Sequence, residues 1–141
     1  MQKTLIDSGP LIALFDYNDH FHEIIKIFLK TSFEGRLIAT WPVVTEVCHL
    51  LDFNINAQLN FLNWLNSGAV ELATLTHDDL EAMIRLVEKY SDVPMDLADS
   101  SLMIIAEKNK ISRIITFDSD YYIYRSKSKK TLRNLLEPYI H

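Results

Sequence analysis

Four acidic residues of this 141-residue chain stand beside apolar runs, where a charge is costly. Asp7 ends the β-prone run TLID, and Asp118 follows the run RIITF. Glu46 lies within the apolar helical pattern WPVVTEVCHLL, and Asp99 lies in the segment VPMDLADSSLMII. A carboxylate in such surroundings usually reaches solvent or has a partner, because burial of an unpaired charge is unfavourable. The four acids are therefore candidates for one shared site.

Each acid also has a purely structural explanation. Asp7 could cap the helix that follows it, Glu46 could be a surface acid, and Asp118 could be a turn residue in FDSD. Asp99 follows Asp96 by three residues, and acids in the first turn of a helix favour the helix dipole. A shared site is the better interpretation only if the fold brings these residues together.

The patterns between the acids are those of an α/β protein. Short β-prone runs alternate with pairs of helical patterns, and this order predicts a three-layer α/β/α domain with a central, mainly parallel sheet of four to five strands. The length favours one domain over residues 1–141. Ligands of such sheets bind beyond the carboxyl ends of the strands, where Asp7 and Asp118 are expected. The predicted strands are 4–7, 36–41, 69–75 and 113–117, and the predicted helices include 20–32, 42–53, 56–68, 77–91 and the segment after Pro94.

Clustered carboxylates indicate a particular chemistry. They repel one another unless a cation neutralises them, and hard divalent cations such as Mg²⁺ or Mn²⁺ prefer oxygen ligands. The sequence has no His and Cys spacing typical of zinc sites and no glycine-rich loop that would hold a nucleotide. A cluster of acids with a metal and without an evident nucleophile suits hydrolysis of a phosphodiester by metal-activated water.

Composition indicates a packed, reduced protein. The chain is 48% hydrophobic and 11% aromatic, which is typical of a globule with a core. Its first residues lack the pattern of a signal peptide, and no apolar run approaches the roughly 18 residues of a membrane span. The single cysteine, Cys48, cannot form an internal disulfide. These features predict a cytoplasmic protein without a membrane association.

The net charge of −5 argues against a nucleic-acid protein, but its distribution does not. Residues 1–106 hold 6 basic and 15 acidic residues, while residues 107–141 hold 8 basic and 4 acidic ones. A basic end on an acidic chain is compatible with phosphate binding and equally with a solvated tail. The basic residues that could bind RNA phosphates are Arg125, Lys127, Lys129, Lys130 and Arg133.

Four blocks of the sequence resemble those of a known family. TLIDSGPLIALFD, WPVVTEVCHLL, VPMDLADSSLMIIAEK and RIITFDSDYYIYR are similar to the four motif blocks of PIN domains, in the same order and spacing. The resemblance runs from residue 4 to about residue 125 and is closest to the VapC-type toxins of prokaryotic toxin–antitoxin pairs. It implies a PIN-like fold and a Mg²⁺- or Mn²⁺-dependent endoribonuclease. The acids that it implies as catalytic are Asp7, Glu46, Asp99 and Asp118.

The resemblance also suggests supporting residues. Ser8 and Thr116 match hydroxyl positions that relatives place beside the acids, and Asp96 and Asp120 match acids present in part of the family. Both of these are further candidate metal ligands.

The four catalytic acids have separate expected roles. We expect Asp7 and Asp99 to be the main direct ligands of the metal. Glu46 and Asp118 would bind it through water or orient the attacking water.

The aromatic residues near the motifs have two interpretations. Trp41 and Tyr121 or Tyr122 could stack on an unpaired base, although burial in the core is the interpretation that their apolar surroundings favour.

The resemblance further implies partners. These are an RNA substrate, a small antitoxin protein that occupies the cleft, and a second copy of the chain in a homodimer. The helices 20–32 and 56–68 are candidate contact surfaces, although either could belong to the core.

Three alternatives remain open from the sequence. The pair Glu46 and His49 has the Glu-x-x-His spacing of di-iron sites, but such sites need two pairs on a helical bundle. A PIN fold kept as a catalytically silent module for RNA or protein binding is a second alternative. The third is a PIN nuclease that processes RNA outside a toxin system or cleaves DNA flaps.

Overall fold

A parallel sheet of five strands organises the structure, a computed structural model that describes residues 2–126 and 129–140. The strand order is β3-β2-β1-β4-β5, so β1 is central and β4 is beside it. Neighbouring strands are all parallel, and their carboxyl ends therefore meet at one edge. The strands are β1 (Lys3–Ile6), β2 (Arg36–Ala39), β3 (Val70–Leu72), β4 (Arg113–Ile115) and β5 (Arg133–Asn134).

Helices connect the strands and cover the sheet. Helix α1 packs against α2, α3 and α4, while α6 packs against α3 and α5. The predicted α/β/α fold with four to five strands is confirmed. Within the described residues, the α-helices are α1 (Ser8–Phe15), α2 (His22–Ile27), α3 (Trp41–Leu50), α4 (Ile55–Asn66), α5 (Leu80–Lys89), α6 (Leu97–Asn109) and α7 (Glu137–Ile140).

The burial of α6 explains the apolar run around Asp99. Ala98 and residues 100–106 are all buried, so this part of the helix is enclosed on nearly every side. Ser101 tolerates burial because its hydroxyl forms a hydrogen bond with the Thr40 hydroxyl, with the two oxygens 2.6 Å apart. Packing on both sides fixes the first turn of α6 near the carboxyl ends of the strands.

Several elements differ from the sequence prediction. Strand β2 ends at Ala39 rather than at residue 41, because Trp41 begins α3, and β3 covers Val70–Leu72 rather than 69–75. Strand β5 was not predicted. Strand β4 ends at Ile115 rather than at residue 117, because Thr116 leaves the ladder and bonds the side chain of Asn134. The predicted helix 20–32 is not a single α-helix, because α2 changes into a π-helical turn over Phe28–Ser32. No helix within residues 2–126 and 129–140 has both the length and the hydropathy needed to cross a membrane.

Candidate active site

Asp7 directly follows the central strand and is the N-cap of α1. Its Oδ1 accepts a hydrogen bond from the backbone N–H of Ser8 at 2.8 Å, and its Oδ2 accepts one from the Thr116 hydroxyl at 2.8 Å. Only 6% of the residue is exposed. Helix capping explains the bond to Ser8, but a serine or asparagine would cap without placing a charge in the interior.

Asp99 lies in the first turn of α6, and Asp96 is the N-cap of that helix. The two form a reciprocal capping box, in which Asp96 Oδ1 accepts from the N–H of Asp99 at 2.8 Å and Asp99 Oδ2 accepts from the N–H of Asp96 at 3.4 Å. Asp96 is exposed, while Asp99 is partly buried. The Oδ1 of Asp99 accepts a further hydrogen bond from the Tyr121 hydroxyl at 3.0 Å.

Asp118 is held beside Asp7 by Thr116. The Thr116 hydroxyl donates to Asp7, and its oxygen accepts from the backbone N–H of Asp118 at 2.9 Å. Asp118 Oδ1 accepts from the N–H of Asp120 at 2.9 Å and so caps the 3₁₀ turn over Ser119–Tyr122. One threonine therefore connects the ends of the two central strands.

The three aspartates form one group, named here the acid cluster: Asp7, Asp99 and Asp118. Each offers a carboxylate oxygen, and these oxygens lie within 4.8 Å of one another. No Lys, Arg or His within residues 2–126 and 129–140 forms an ion pair with any of them. Carboxylates this close repel one another, because each raises the free energy of the ionised form of the others.

The pKa values of the cluster reflect this environment. Burial is the largest cause that raises the pKa of Asp7, to about 6, and the charge of Asp118 acts in the same direction. Burial also raises the pKa of Asp99, and the charges of Asp96 and Asp7 add to the effect. A divalent cation would reverse these shifts, because a nearby positive charge favours carboxylates. Three oxygen donors from separate segments, without nitrogen or sulfur, fit a hard cation such as Mg²⁺ or Mn²⁺.

Glu46 stands beside the acid cluster rather than inside it. Its Oε1 accepts a hydrogen bond from the Ser8 hydroxyl at 2.5 Å, and Ser8 also donates its N–H to Asp7. Glu46 is one of the charges that raise the pKa of Asp7, so the two carboxylates are close. Its predicted partner in a di-iron site, His49, is exposed and contributes no ligand to the cluster. The geometry gives no support to the Glu-x-x-His alternative.

Asp120 is near the cluster without contributing to it. Burial and the charge of Asp118 raise the pKa of Asp120, which indicates that the two acids are close. Its carboxylate is not among the oxygens that lie within 4.8 Å of one another. Asp96 is likewise absent from that group, and its side chain is used in capping α6.

Two of the predicted RNA-binding residues lie in unexpected surroundings. Arg125 directs its Nη1 to the backbone carbonyls of residues 122–124, with bonds of 2.7 to 3.3 Å. Arg133 begins β5 opposite Arg113, the first residue of β4. Arg133 therefore lies at the amino end of the parallel strands, whereas the acid cluster lies at their carboxyl end.

The predicted lysines follow Arg125 in the chain. Lys129 and Lys130 are exposed, in a turn where the Ser126 N–H donates to the Lys130 carbonyl at 2.9 Å. Lys127, the remaining predicted RNA-binding residue, lies outside the described residues.

The aromatic residues do not share one environment. Burial in the core was the favoured prediction for these aromatic residues. Tyr121 is buried, but Trp41 is 63% exposed, so the prediction is wrong for Trp41. Trp41 and Leu97 are the first residues of α3 and α6, and both line a surface groove of about 440 Å³. Glu46 and Asp96 line the same groove, which therefore adjoins the acid cluster.

Two residues of the site were not assigned to it from the sequence. Tyr121 was considered only as a base-stacking or core residue, yet its hydroxyl bonds Asp99. Asn134 was not considered, yet its side chain bonds both the N–H and the carbonyl of Thr116, at 3.2 and 3.0 Å. A buried amide in a short edge strand is the only signal that could have indicated Asn134, and a sequence does not show that burial.

Comparison with known proteins shows similarity to two VapC proteins. Ribonuclease VapC26 of Mycobacterium tuberculosis is 28% identical to the chain over 120 residues, which are 84% of this chain and 88% of that protein. The crystal structure of Mycobacterium tuberculosis VapC20, a sarcin–ricin loop cleaving toxin, matches the fold with a TM-score of 0.77. That match has 18% sequence identity and covers 85% of this chain and 93% of the other. No family model matches the chain.

Both similarities cover most of the chain. The sequence match to VapC26 and the structural match to VapC20 each extend over more than four fifths of the chain. Similarity in sequence to a VapC ribonuclease and in fold to a VapC toxin thus confirms the resemblance of this chain to VapC-type PIN-domain proteins.

Proposed function

We propose that this protein is an endoribonuclease that hydrolyses RNA phosphodiester bonds at the acid cluster with a bound Mg²⁺ or Mn²⁺. We further propose that it is the toxin of a type II toxin–antitoxin pair. The observation that carries the proposal is the meeting of Asp7, Asp99 and Asp118 within 4.8 Å at the carboxyl edge of the sheet. The similarity to a VapC ribonuclease over most of the chain supports it.

The chain's own residues have distinct roles in this proposal. Asp7 and Asp99 hold the cation, and Asp118 completes the oxygen donors. A divalent cation in this place supplies positive charge to the phosphate oxygens and lowers the pKa of water. Glu46, fixed by the Ser8 hydroxyl, orients the attacking water and accepts its proton. The water oxygen then bonds to phosphorus, the phosphorus–oxygen ester bond breaks, and the leaving oxygen takes a proton from solvent.

The activity can be tested on matched single strands. Purified protein with Mn²⁺ is expected to cleave a single-stranded RNA and to leave a DNA strand of the same sequence much less affected. Binding of the RNA without any cleavage, under conditions in which the protein binds Mn²⁺, would favour the silent binding module instead. Efficient cleavage of DNA flaps would point to the alternative nuclease class.

The exposed indole of Trp41 gives a prediction about substrate binding. Because its face is open beside the acid cluster, we expect it to stack on an unpaired base next to the scissile phosphate. Stacking of this kind contributes about 1–3 kcal/mol per base, so Trp41→Ala should raise the KM for RNA roughly 5- to 160-fold. The kcat should change much less, because Ser8, Thr116 and Tyr121, and not the indole, donate the hydrogen bonds that hold Asp7, Glu46 and Asp99.

Phe53→Ala provides the matched control for Trp41. Phe53 is 62% exposed, in the turn after α3, and it does not line the groove that Trp41 lines. The KM of this variant should equal that of the native protein. A rise of the same size in both variants, or no rise in Trp41→Ala, would contradict the stacking role.

The partners proposed for this toxin follow from its resemblance to VapC-type toxins. We expect a small antitoxin protein to cover the cleft, an active homodimer, and action in the cytoplasm, where the RNA substrates are. Mass measurement by light scattering during size-exclusion chromatography, with the chain alone and co-expressed with a candidate antitoxin, tests both associations.

A further inference from the structure

Tyr121 is a buried residue that contacts the acid cluster. It belongs to the 3₁₀ turn over Ser119–Tyr122, and its side chain is only 1% exposed. Its hydroxyl donates to Asp99 Oδ1 at 3.0 Å. A ring so deeply buried cannot stack on a nucleic-acid base, and its one polar atom contacts a residue of the acid cluster.

Two other tyrosines fix the ring of Tyr121. It meets the ring of Tyr124 edge-on, with centroids 5.3 Å apart, and Tyr124 meets Tyr90 edge-on at 5.1 Å. The Tyr124 hydroxyl donates to the carbonyl of Pro94 at 2.9 Å, and the Tyr90 hydroxyl oxygen accepts from the N–H of Arg125 at 2.8 Å. Tyr121 therefore presents its hydroxyl from a rigid support.

The bond from Tyr121 determines how the Asp99 carboxylate is oriented. The other oxygen, Oδ2, is held only by a long 3.4 Å bond from the N–H of Asp96. Without the phenol, the carboxylate could rotate about its last bond, because no other described side chain donates to it. With the phenol, Asp99 keeps an oxygen within 4.8 Å of those of Asp7 and Asp118.

We propose that Tyr121 is a positioning residue, which sets the affinity of the acid cluster for a divalent cation by orienting the carboxylate of Asp99. This inference rests on the proposed function, since it assumes that the cluster holds a cation. Partners that orient metal ligands typically change metal affinity or activity 10- to 100-fold when they are removed. The same roughly 10- to 100-fold loss in affinity is the expected effect here.

The chain offers a closely matched pair of variants for the test. Tyr121→Phe removes the hydroxyl that bonds Asp99, and Tyr124→Phe removes the hydroxyl that bonds Pro94. Both rings are buried and both belong to the same tyrosine cluster. The variants therefore lose the same atom at neighbouring places, and only one loss touches the acid cluster.

The primary readout is the Mn²⁺ dissociation constant in the absence of RNA, measured by calorimetry and by the electron paramagnetic resonance signal of free Mn²⁺. Tyr121→Phe is expected to bind Mn²⁺ roughly 10- to 100-fold more weakly than the native chain, and Tyr124→Phe within about threefold of it. The Mn²⁺ concentration for half-maximal RNA cleavage should rise by the same factor in Tyr121→Phe, while the rate at saturating Mn²⁺ recovers.

The outcomes separate this inference from the proposed function. If the native chain binds Mn²⁺ and cleaves RNA, and Tyr121→Phe matches it in Mn²⁺ affinity, the positioning role is wrong and the proposed function stands. Equal losses in both variants would assign the effect to packing and would also overturn the role. If the native chain binds no Mn²⁺ at millimolar concentration, the cation site itself is wrong, and this inference is wrong with it.

Discussion

Replacement of Asp99 with Asn is expected to lower RNA cleavage at least about a hundredfold at saturating Mn²⁺, with the fold intact. The amide keeps the size of the side chain, and its oxygen can still accept from Tyr121, so α6 loses little stability. What disappears is one of the three carboxylate charges that face one another within 4.8 Å. The variant should therefore lose cation binding and the charge that stabilises the reacting phosphate, while circular dichroism remains native.

Asp92→Asn is the control for this prediction. Asp92 is an exposed acid a few residues before α6, and it contributes no ligand to the acid cluster. Its replacement removes the same charge from the chain without touching the site, so cleavage rates should stay native. Full activity of Asp99→Asn, or an equal loss in Asp92→Asn, would contradict the assignment of Asp99.

Asp7→Asn is expected to have opposite effects on activity and on stability. It should reduce cleavage as strongly as Asp99→Asn does, because it removes the most buried carboxylate of the cluster. In EDTA at pH 7.5, however, it should raise the melting temperature by several degrees. The reason is that the folded native chain holds the Asp7 carboxylate in a place that disfavours its charge.

The pH dependence of this difference has a definite sign. The pKa of Asp7 is about 6 in the folded chain, against 3.8 for an unperturbed aspartate, so the folded state binds more protons between these values. The metal-free native protein therefore loses stability as pH rises from about 4 to about 6, by on the order of 3 kcal/mol at most. Asp118, Glu46 and Asp99 surround the group and add to this cost.

Calorimetric melting in EDTA at several pH values checks this prediction. The advantage of Asp7→Asn should be largest at pH 7.5 and should vanish near pH 4. Mn²⁺ should then reverse the order, because binding to the folded native chain raises its stability and the variant lacks a ligand. A variant that is less stable than the native chain in EDTA at pH 7.5 would show that capping by Asp7 outweighs the cost of its burial.

The strand pattern was sufficient to predict where two of the acids meet. Asp7 and Asp118 follow buried parallel strands, and the carboxyl ends of such strands must share an edge. Asp99 was predictable because the apolar residues around it bury its helix against the sheet. The helical period also placed Glu46 near this edge, but it did not fix the reach of the side chain, which the Ser8 hydroxyl holds beside the cluster.

Other features depend on contacts that no local pattern encodes. The bond from Tyr121 to Asp99 joins residues 22 positions apart through a 3₁₀ turn, and neither segment indicates the other. Strand β5 has two residues, too few for a periodic pattern, yet it supplies Asn134 to Thr116. The count of basic residues near the end of the chain does not show where they lie in the fold. It could not indicate that Arg133 begins a strand and so lies at the amino ends of the strands, away from the acid cluster.

The most direct measurement is cleavage of one RNA by a single preparation of the native chain before EDTA, after EDTA and after Mn²⁺ is restored. Cation binding at the acid cluster predicts cleavage in the first state, none in the second, and recovery in the third. The Asp99→Asn chain should stay inactive throughout. Undiminished cleavage in EDTA, or equal cleavage by Asp99→Asn, would contradict the proposal that the acid cluster holds the cation on which hydrolysis depends.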